Sequence, residues 1–545
     1  MIEEIRILGY RKYRELRMHP NPGLNVLVGG NESGKSTLLE AIGLALTQRV
    51  NGRSAQEELS PHWFNESLVN EYFAHRAAGM RPAPPEIFIE LYLKDVPELQ
   101  KLAGPHNLIS EKDGVTTTRP GVRIHVLPNR EYAAEFEAFM TAPDFSKTRL
   151  LPVEYYKVEW RDFAWNILTH RPRELTCALI DSRTVRSTSG MDFHMRQILS
   201  DYLDSTEKAH VSLAFREMKR EMTAGPLEHV NTKMATLGGA LDDSPVRLAM
   251  DQTSRTSWET TIAPHVGTVP FSMSGQGQQA SVKIALAMKR TGDATNVVMI
   301  EEPENHLSHT SLAKLVGRIN ELSQEHQQIF ITTHSSYVLN RMGLDTLILL
   351  SDGRQANFGQ LSAGTTAYFK KLPGYDTLRM VLAEKIVLVE GPSDEIVFER
   401  FYRDLHEGRS PMQDGIDVIS MRGLALQRCL ELTSALDKRV AATRDNDNEE
   451  IGDLRDPIGE FLDGGKREVF IGDKSLGATL EPQIVAHNSE ESVRKILGIR
   501  RDATLSTWME REKTEGAMRI AEADSTLNPP KYMKAAAEFF DVKQQ

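Results

Sequence analysis

The hydrophobic positions of the chain change period several times, and each change marks an element. Residues 3–8 are extended and apolar-rich, and 24–28 form a short apolar run that ends in glycines. Over 36–46 the spacing becomes helical, with Leu38, Leu39, Ile42 and Leu46 on one face. Residues 51–85 are polar and rich in Pro and Arg, which predicts irregular chain. Residues 86–93 and 121–127 alternate like half-buried strands. Residues 130–145 and 192–235 carry amphipathic helical patterns with little glycine. Strand patterns return at 297–300, 328–332 and 346–350, separated by helical segments, which is doubly wound α/β patterning. A mixed stretch, 353–380, holds Gly359, Gly364, Pro373 and Gly374 and predicts a domain junction. Beyond it, 385–390 predicts another parallel-sheet strand, followed by helix 394–406, strand 416–420, helix 424–438 and a strand ending near Ala442. The expectation is an α/β protein of two domains, 1–375 and 376–545, with a helical insertion within about 130–265.

At 545 residues the chain exceeds one ordinary core. With 40% hydrophobic and 26% charged residues it has the composition of a soluble globular protein. No apolar run approaches the ~20 residues of a membrane helix, and the start of the chain has no apolar leader core, so a cytoplasmic protein without a membrane is expected. Cys177 and Cys429 are the two cysteines, too few and too far apart for a disulfide framework or a zinc site. The net charge of −11 is unevenly placed. Residues 381–545 hold 23 Lys+Arg and 32 Asp+Glu, whereas the first 380 hold 42 and 44. A nucleic-acid binder usually carries basic excess, but carboxylates gathered for divalent cations also read as acidic until the metals are counted. Charge alone therefore leaves DNA open.

Gly29-Gly30-Asn31-Glu32-Ser33-Gly34-Lys35-Ser36 matches the P-loop pattern in full, between a strand and a helix. Gly29, Asn31 and Gly34 let backbone N–H groups approach phosphates, Lys35 reaches the terminal phosphates, and Ser36, with Thr37 beside it, faces one Mg2+ bound with ATP. Val297-Val298-Met299-Ile300-Glu301-Glu302 looks like a Walker B strand, with Glu301 near the metal and Glu302 orienting the attacking water. Most such strands end in Asp where this one has Glu301. Ser274 and Gly275, at the start of an apolar helix, resemble the signature motif of ABC-type ATPases. His334, after a strand, resembles that family's switch histidine. The resemblance implies a homodimer or higher homo-oligomer in which each signature motif meets the partner's nucleotide. The start of the chain resembles the soluble RecF and SMC branch of these ATPases. Two readings of the helical stretch stand, a dimerising arm and a surface helical subdomain.

The second centre is acidic. Glu390 ends an apolar strand and Asp394 lies one helical turn later. Asp445 and Asp447 are two apart and would face one side of an extended segment. Carboxylates suit Mg2+ or Mn2+, and two such ions can stabilise both oxygens of a phosphodiester displacement. The arrangement resembles a TOPRIM domain, and the full layout resembles the OLD (overcoming lysogenisation defect) family. That resemblance implies Glu481 as a second-metal ligand and Lys531 as the lysine facing developing phosphate charge, with Lys534 as the alternative. It also implies a DNA endonuclease or nickase gated by ATP, acting in anti-phage defence with a partner protein or nucleic-acid sensor. The polar pair Thr443-Arg444 departs from the family's apolar strand. Two other classes stay open: a DNA-binding clamp whose TOPRIM domain does not cut, and a scaffold that binds nucleotide without turning it over.

Overall fold

A computed structural model of the chain describes residues 1–541 except 31, 51, 106–117, 142–149, 173, 182–202, 236–246, 253–257, 263, 289–294, 306, 323–326, 343–345, 352–353, 358–360, 372–374, 422–424 and 500–503. Asn31 and positions 192–202 of the expected helical insertion thus lie outside the described residues. The chain divides into two compact units. One comprises Met1–Leu27, Glu32–His334 and Leu350–Gln355, and the other Val28–Asn31, Ser335–Leu349 and Ala356–Gln545. None of the described helices is long and apolar enough to cross a membrane.

The first unit is built on two large sheets. In the antiparallel one, Tyr13–Met18, Ile2–Tyr10, Ile87–Leu93 and Arg119–Pro128 lie side by side, and Tyr156–Asp162 also pairs with Arg119–Pro128. In the parallel one the order is Leu175–Asp181, Thr295–Glu301, Gln327–Thr332 and Leu24–Val28. Its strands are near-continuous apolar runs, as strands covered on both faces require; Val26, Val297, Met299, Ile329 and Ile331 are all buried. Gln328 lies between the sheets without exposure. Its side chain accepts from Ile2 N–H at 2.7 Å and donates to the carbonyls of Ile2 and Asn21, each at 2.9 Å. A buried amide so completely paired joins the two sheets without a desolvation penalty left standing.

One expectation is corrected in this unit, and two features lie beyond what the spacing announces. Within 51–85 the structure has a helix, Glu66–Ala77, capped by the Asn65 side chain, which accepts from Leu68 N–H. Tyr72 is its one buried residue, so it lacked an apolar stripe to announce it. Within 130–265 the strands Tyr156–Asp162 and Leu175–Asp181 belong to the two sheets and share the range with the helices Ser205–Ala224 and Pro226–Ala235. The strand Tyr13–Met18 alternates too briefly to stand out from its surroundings. The helix Ser205–Ala224 does begin as its residues dictate. Asp204 accepts from the N–H of Thr206 and Glu207, and Glu207 accepts from Asp204 N–H in return.

The second unit holds a four-stranded parallel sheet in the order Ile416–Ser420, Lys385–Val389, Arg439–Arg444, Arg467–Ile471. Val387, Val389, Val418 and Ala441 pack against Phe398 and Tyr402 of the helix Pro392–Leu405. The polar Thr443 is accommodated because its hydroxyl donates to the Leu388 carbonyl across the sheet at 3.3 Å. Helices Lys513–Glu522 and Lys531–Glu538 follow, and their residues Ala517, Ile520 and Met533 share a core with Leu480 and Ile484.

Candidate nucleotide and carboxylate sites

Sheet register builds the first site. Glu301 lies beside Thr332, and Thr332 beside Leu27, at the carboxyl ends of parallel strands where α/β sheets bind ligands. The Ser36 hydroxyl donates to a Glu301 carboxylate oxygen. The longer Glu301 side chain thus reaches the P-loop serine where the usual Walker B aspartate would be shorter. Glu302 leaves the strand at φ 45°, a left-handed conformation that costs an L residue about 1–3 kcal/mol and gathers at functional sites. That turn aims its carboxylate at the His334 ring, Oε1 to Nε2 at 3.6 Å, while Asn305 Nδ2 donates to Oε2 at 2.6 Å. Glu304, a residue the motifs did not single out, anchors the segment that carries His334. Its Oε1 accepts from the Thr333 hydroxyl at 2.9 Å and from His334 N–H at 2.7 Å.

The P-loop itself is shaped by its glycines. Gly34 has φ 100°, and a Cβ there would lie 2.8 Å from the Tyr13 hydroxyl, which donates to the Gly34 carbonyl at 3.0 Å. Lys35 is buried at the start of the helix Lys35–Thr47, and its ammonium donates to Ser33 Oγ at 3.5 Å. Ser36 is exposed and Thr37 half-buried. Ser274 and Gly275 directly precede the helix Gln276–Met288. The Ser274 hydroxyl donates back to the Phe271 carbonyl at 2.7 Å, Gly275 is exposed, and the space a Cβ on it would take is open.

In the second unit the parallel sheet places Glu390 just after its strand, next to the loop that follows Arg444. Glu390 Oε1 accepts from Asp445 N–H at 3.0 Å. Asp394 Oδ2 accepts from Gly391 N–H at 2.8 Å across the first turn of its helix. Burial, then the charges of Glu390, Asp394 and Glu481, raise the Asp445 carboxyl to about 8. Burial, then Glu390 and Glu481, raise Asp394 to about 6, and burial pushes Glu390 upward as well. Like charges in a poorly solvated space are the cause of each shift.

Asp447 departs from the expected geometry. The segment is not extended: the strand ends at Arg444, and Asp447 and Asn448 sit at φ 45° and 64°. Asn446 makes this turn possible. Fully buried, it donates from Nδ2 to the Gly477 carbonyl at 2.7 Å and accepts from Asn448 N–H at 2.9 Å. Asp447 is therefore exposed, and with Glu390 and Arg444 it lines a cleft of about 560 Å3 whose wall includes Leu454 and Ile458. The same Asn446 contact fixes the loop leading to Glu481. That carboxylate is buried, with Oε2 accepting from the Thr479 hydroxyl at 2.7 Å and Oε1 lying 3.3 Å from Lys513 Nζ.

Lys531 begins the last helix, exposed; after the hydrogen bonds from Ser475, its charge helps hold the Asp473 carboxyl low. Lys534 pairs with Glu538 at 3.7 Å. The lysine paired with the carboxylate group is Lys513, and the buried phenol of Tyr532 is raised by burial and then by Asp445, Asp394, Glu390 and Glu481. No short motif marks either residue. Among the described residues, no three His, Cys, Asp or Glu side chains are already drawn into an ion cage. The donors nonetheless fit a hard divalent cation, which commonly uses one or two carboxylates and completes its shell with water and substrate phosphate. Glu390, Asp394, Asp445 and Glu481 are the residues that would hold it.

Family models match segments in both parts of the chain. A family model described as an AAA domain matches residues 4–78, and one described as "AAA domain, putative AbiEii toxin, Type IV TA system" matches 110–340. The model "Overcoming lysogenization defect protein-like, TOPRIM domain" matches 381–447. DNA replication and repair protein RecF of Limosilactobacillus reuteri (strain DSM 20016) is 32% identical over 82 residues, 15% of this chain and 22% of that protein. The chain thus spans about a fifth of that relative's length. RecF of Desulforamulus reducens is 20% identical over 306 residues, 53% of this chain and 79% of its own. Among solved structures, an Smc head bound to the C-winged helix domain of ScpA covers 65% of this chain and 96% of its own at 14% identity and TM-score 0.31. The C-terminal region of the Xanthomonas campestris OLD protein covers 29% and 93% at 20% identity and TM-score 0.24.

Proposed function

We propose that this chain, which joins an ABC-type P-loop ATPase to an OLD-like TOPRIM domain, is an ATP-gated, divalent-metal-dependent DNA endonuclease or nickase of the OLD type. The observation that carries the reading is the group Glu390, Asp394, Asp445 and Glu481, set near the carboxyl ends of parallel strands, where Glu390 holds the Asp445 N–H, Asp394 holds the Gly391 N–H, and burial and neighbouring carboxylates raise Asp445 and Asp394. Mg2+ or Mn2+, two ions in our reading, would supply charge neutralisation for a phosphodiester and its leaving oxygen. The protein's part is to hold the acids in a poorly solvated cup, to fix Asp445 through Glu390, and to set Asp447 outward at the cleft where substrate arrives. Lys531 stands on this reading as the cation for developing phosphate charge, with Lys534 as its alternative.

The first unit supplies the gate. Lys35, Ser36 and Glu301 hold ATP with one Mg2+, Glu302 and His334 respond to the terminal phosphate, and the half-buried Ser274 and exposed Gly275 are offered to a second copy of the chain. The name of the RecF relatives, DNA replication and repair protein, supports DNA as the substrate, and the OLD-like TOPRIM domain supports cutting over clamping. We place the boundary of the two domains near residue 375, the biological setting in anti-phage defence, and the protein in the cytoplasm. The test is nicking of supercoiled plasmid with Mg2+ or Mn2+, compared with Asp445→Ala. Equal cutting by the two proteins would sink the nuclease reading, and DNA binding without cutting would favour the clamp.

A further inference from the structure

Glu481 is not free to take a cation as it stands. Both of its oxygens are engaged, Oε2 by the Thr479 hydroxyl at 2.7 Å and Oε1 by the Lys513 ammonium at 3.3 Å. Lys513 is the first residue of the helix Lys513–Glu522, and its side chain is 47% exposed while that of Glu481 is 8% exposed. The lysine therefore reaches inward from the rim and sets one positive charge against a carboxylate that is nearly out of solvent. It is also the cation whose field reaches Asp445, Asp394 and Glu390 together. Burial works against the Lys513 charge, yet Glu481, Asp445 and Asp394 outweigh it.

We propose that Lys513 is a resident counter-cation of the TOPRIM site, pairing with Glu481 in the metal-free protein and leaving it when a divalent ion takes that carboxylate. The inference rests on the metal-site reading above and adds a residue to it. Three observations bear on it. The carboxylates repel one another and need opposite charge from some source. An ammonium on a flexible four-carbon stem is a compact charge that can withdraw. And the half-exposed position gives Lys513 room to swing into solvent, or onto a DNA phosphate, without unpacking the core.

Displacement makes the lysine a competitor of the metal, so removing it strengthens metal binding. Calorimetric titration of Mn2+ into the full chain, without DNA, is the test. Lys513→Met is expected to bind Mn2+ about threefold to tenfold more tightly than wild type, and to melt at lower temperature when metal is absent. Lys513→Arg should stay near wild type in both respects. Lys466→Met, which removes a lysine paired with Asp437, controls for the change in net charge and should leave Mn2+ affinity unaltered. Equal or weaker Mn2+ binding by Lys513→Met overturns the proposal. Asp445→Ala separates this failure from failure of the site itself. If Mn2+ uptake depends on Asp445 but not on Lys513, the counter-cation role is wrong and the site stands. If uptake ignores Asp445, or wild type and Lys513→Met both take up none, site and inference fall together.

Discussion

In the nucleotide site each acid has a polar partner of its own: Glu301 takes the Ser36 hydroxyl, Glu302 takes Asn305 and faces His334, and Glu304 takes Thr333 and the His334 backbone. In the carboxylate site the acids chiefly face one another, relieved by backbone N–H groups, one threonine hydroxyl and one lysine at the rim. The first arrangement is a hydrogen-bonded network already complete enough to fix side-chain positions. The second is electrostatically unfinished, and the raised pKa values of Asp445 and Asp394 point to the repulsion that an added cation would relieve. The contrast teaches that the two centres answer different demands. On the proposed reading, one senses a single phosphate reproducibly through Glu302 and His334, and the other binds a charge strongly enough to use it.

The widest test of the contrast is Asp445→Ala. It removes the most strongly shifted carboxylate, so metal-dependent nicking should fall by on the order of 100-fold or more, with ATP turnover preserved. Loss of both activities together would mean that the two centres are not separable. Glu302→Gln probes the other side. It keeps the Asn305 contact available but removes the charge that faces His334, and ATP turnover should fall by about 100-fold or more while nucleotide binding persists. Unchanged turnover would remove Glu302 from its role and reopen the scaffold reading.

Much of this was legible from spacing. The strands Leu24–Val28, Thr295–Glu301, Gln327–Thr332 and Lys385–Val389 are apolar runs bounded by glycine or acid, and a buried parallel strand has few other ways to be written. Glu390 and Asp394 follow from the strand end and the helical turn after it. What spacing could not supply was anything fixed by tertiary pairing. The left-handed turns at Glu302 and Asp447 carry no glycine to announce them, and an extended Asp-x-Asp was the natural but mistaken inference. Lys513 lies 32 positions beyond Glu481 in the chain, so their pairing appears only once Ala517 and Ile520 pack against Leu480 and Ile484. The helix Glu66–Ala77 was hidden for the opposite reason, since it buries a single side chain.

Asn446 distinguishes position from charge in the acidic site. It bears no charge, yet it sets the Asp447 turn and ties it to the Gly477 loop. Asn446→Ala leaves the Gly477 carbonyl and the Asn448 N–H without that partner, and should cost about 1–3 kcal/mol of stability. Denaturant unfolding measures this directly. Nicking should fall as well, at metal affinity close to wild type, because the mutation disorders the turn that sets Asp447 at the cleft without changing the number of charges. If metal affinity instead collapses as in Asp445→Ala, the turn and not the buried acids defines the site.

The smallest effect is on stability against pH, and its sign is fixed. Asp445 and Asp394 keep their protons to about 8 and about 6 in the folded chain, whereas an unfolded Asp loses its proton near pH ~3.9. Between those values these two groups bind more protons folded than unfolded, so their contribution to stability declines as pH rises from about 4 to about 8, offset in part above about 6 by the Met1 amino group, which burial lowers to about 6. A divalent ion requires the deprotonated acids, so the stabilisation gained from added Mn2+ should grow across the same interval. Melting curves at pH 6 and pH 8, with and without Mn2+, should show the larger gain at pH 8, by a few degrees. The nucleotide site offers the internal comparison. Its acids are hydrogen-bonded to neutral donors, so the gain from ATP with Mg2+ should change less between the two pH values. A metal gain that is flat with pH, or an ATP gain that is the steeper of the two, would erase the distinction between the finished site and the unfinished one.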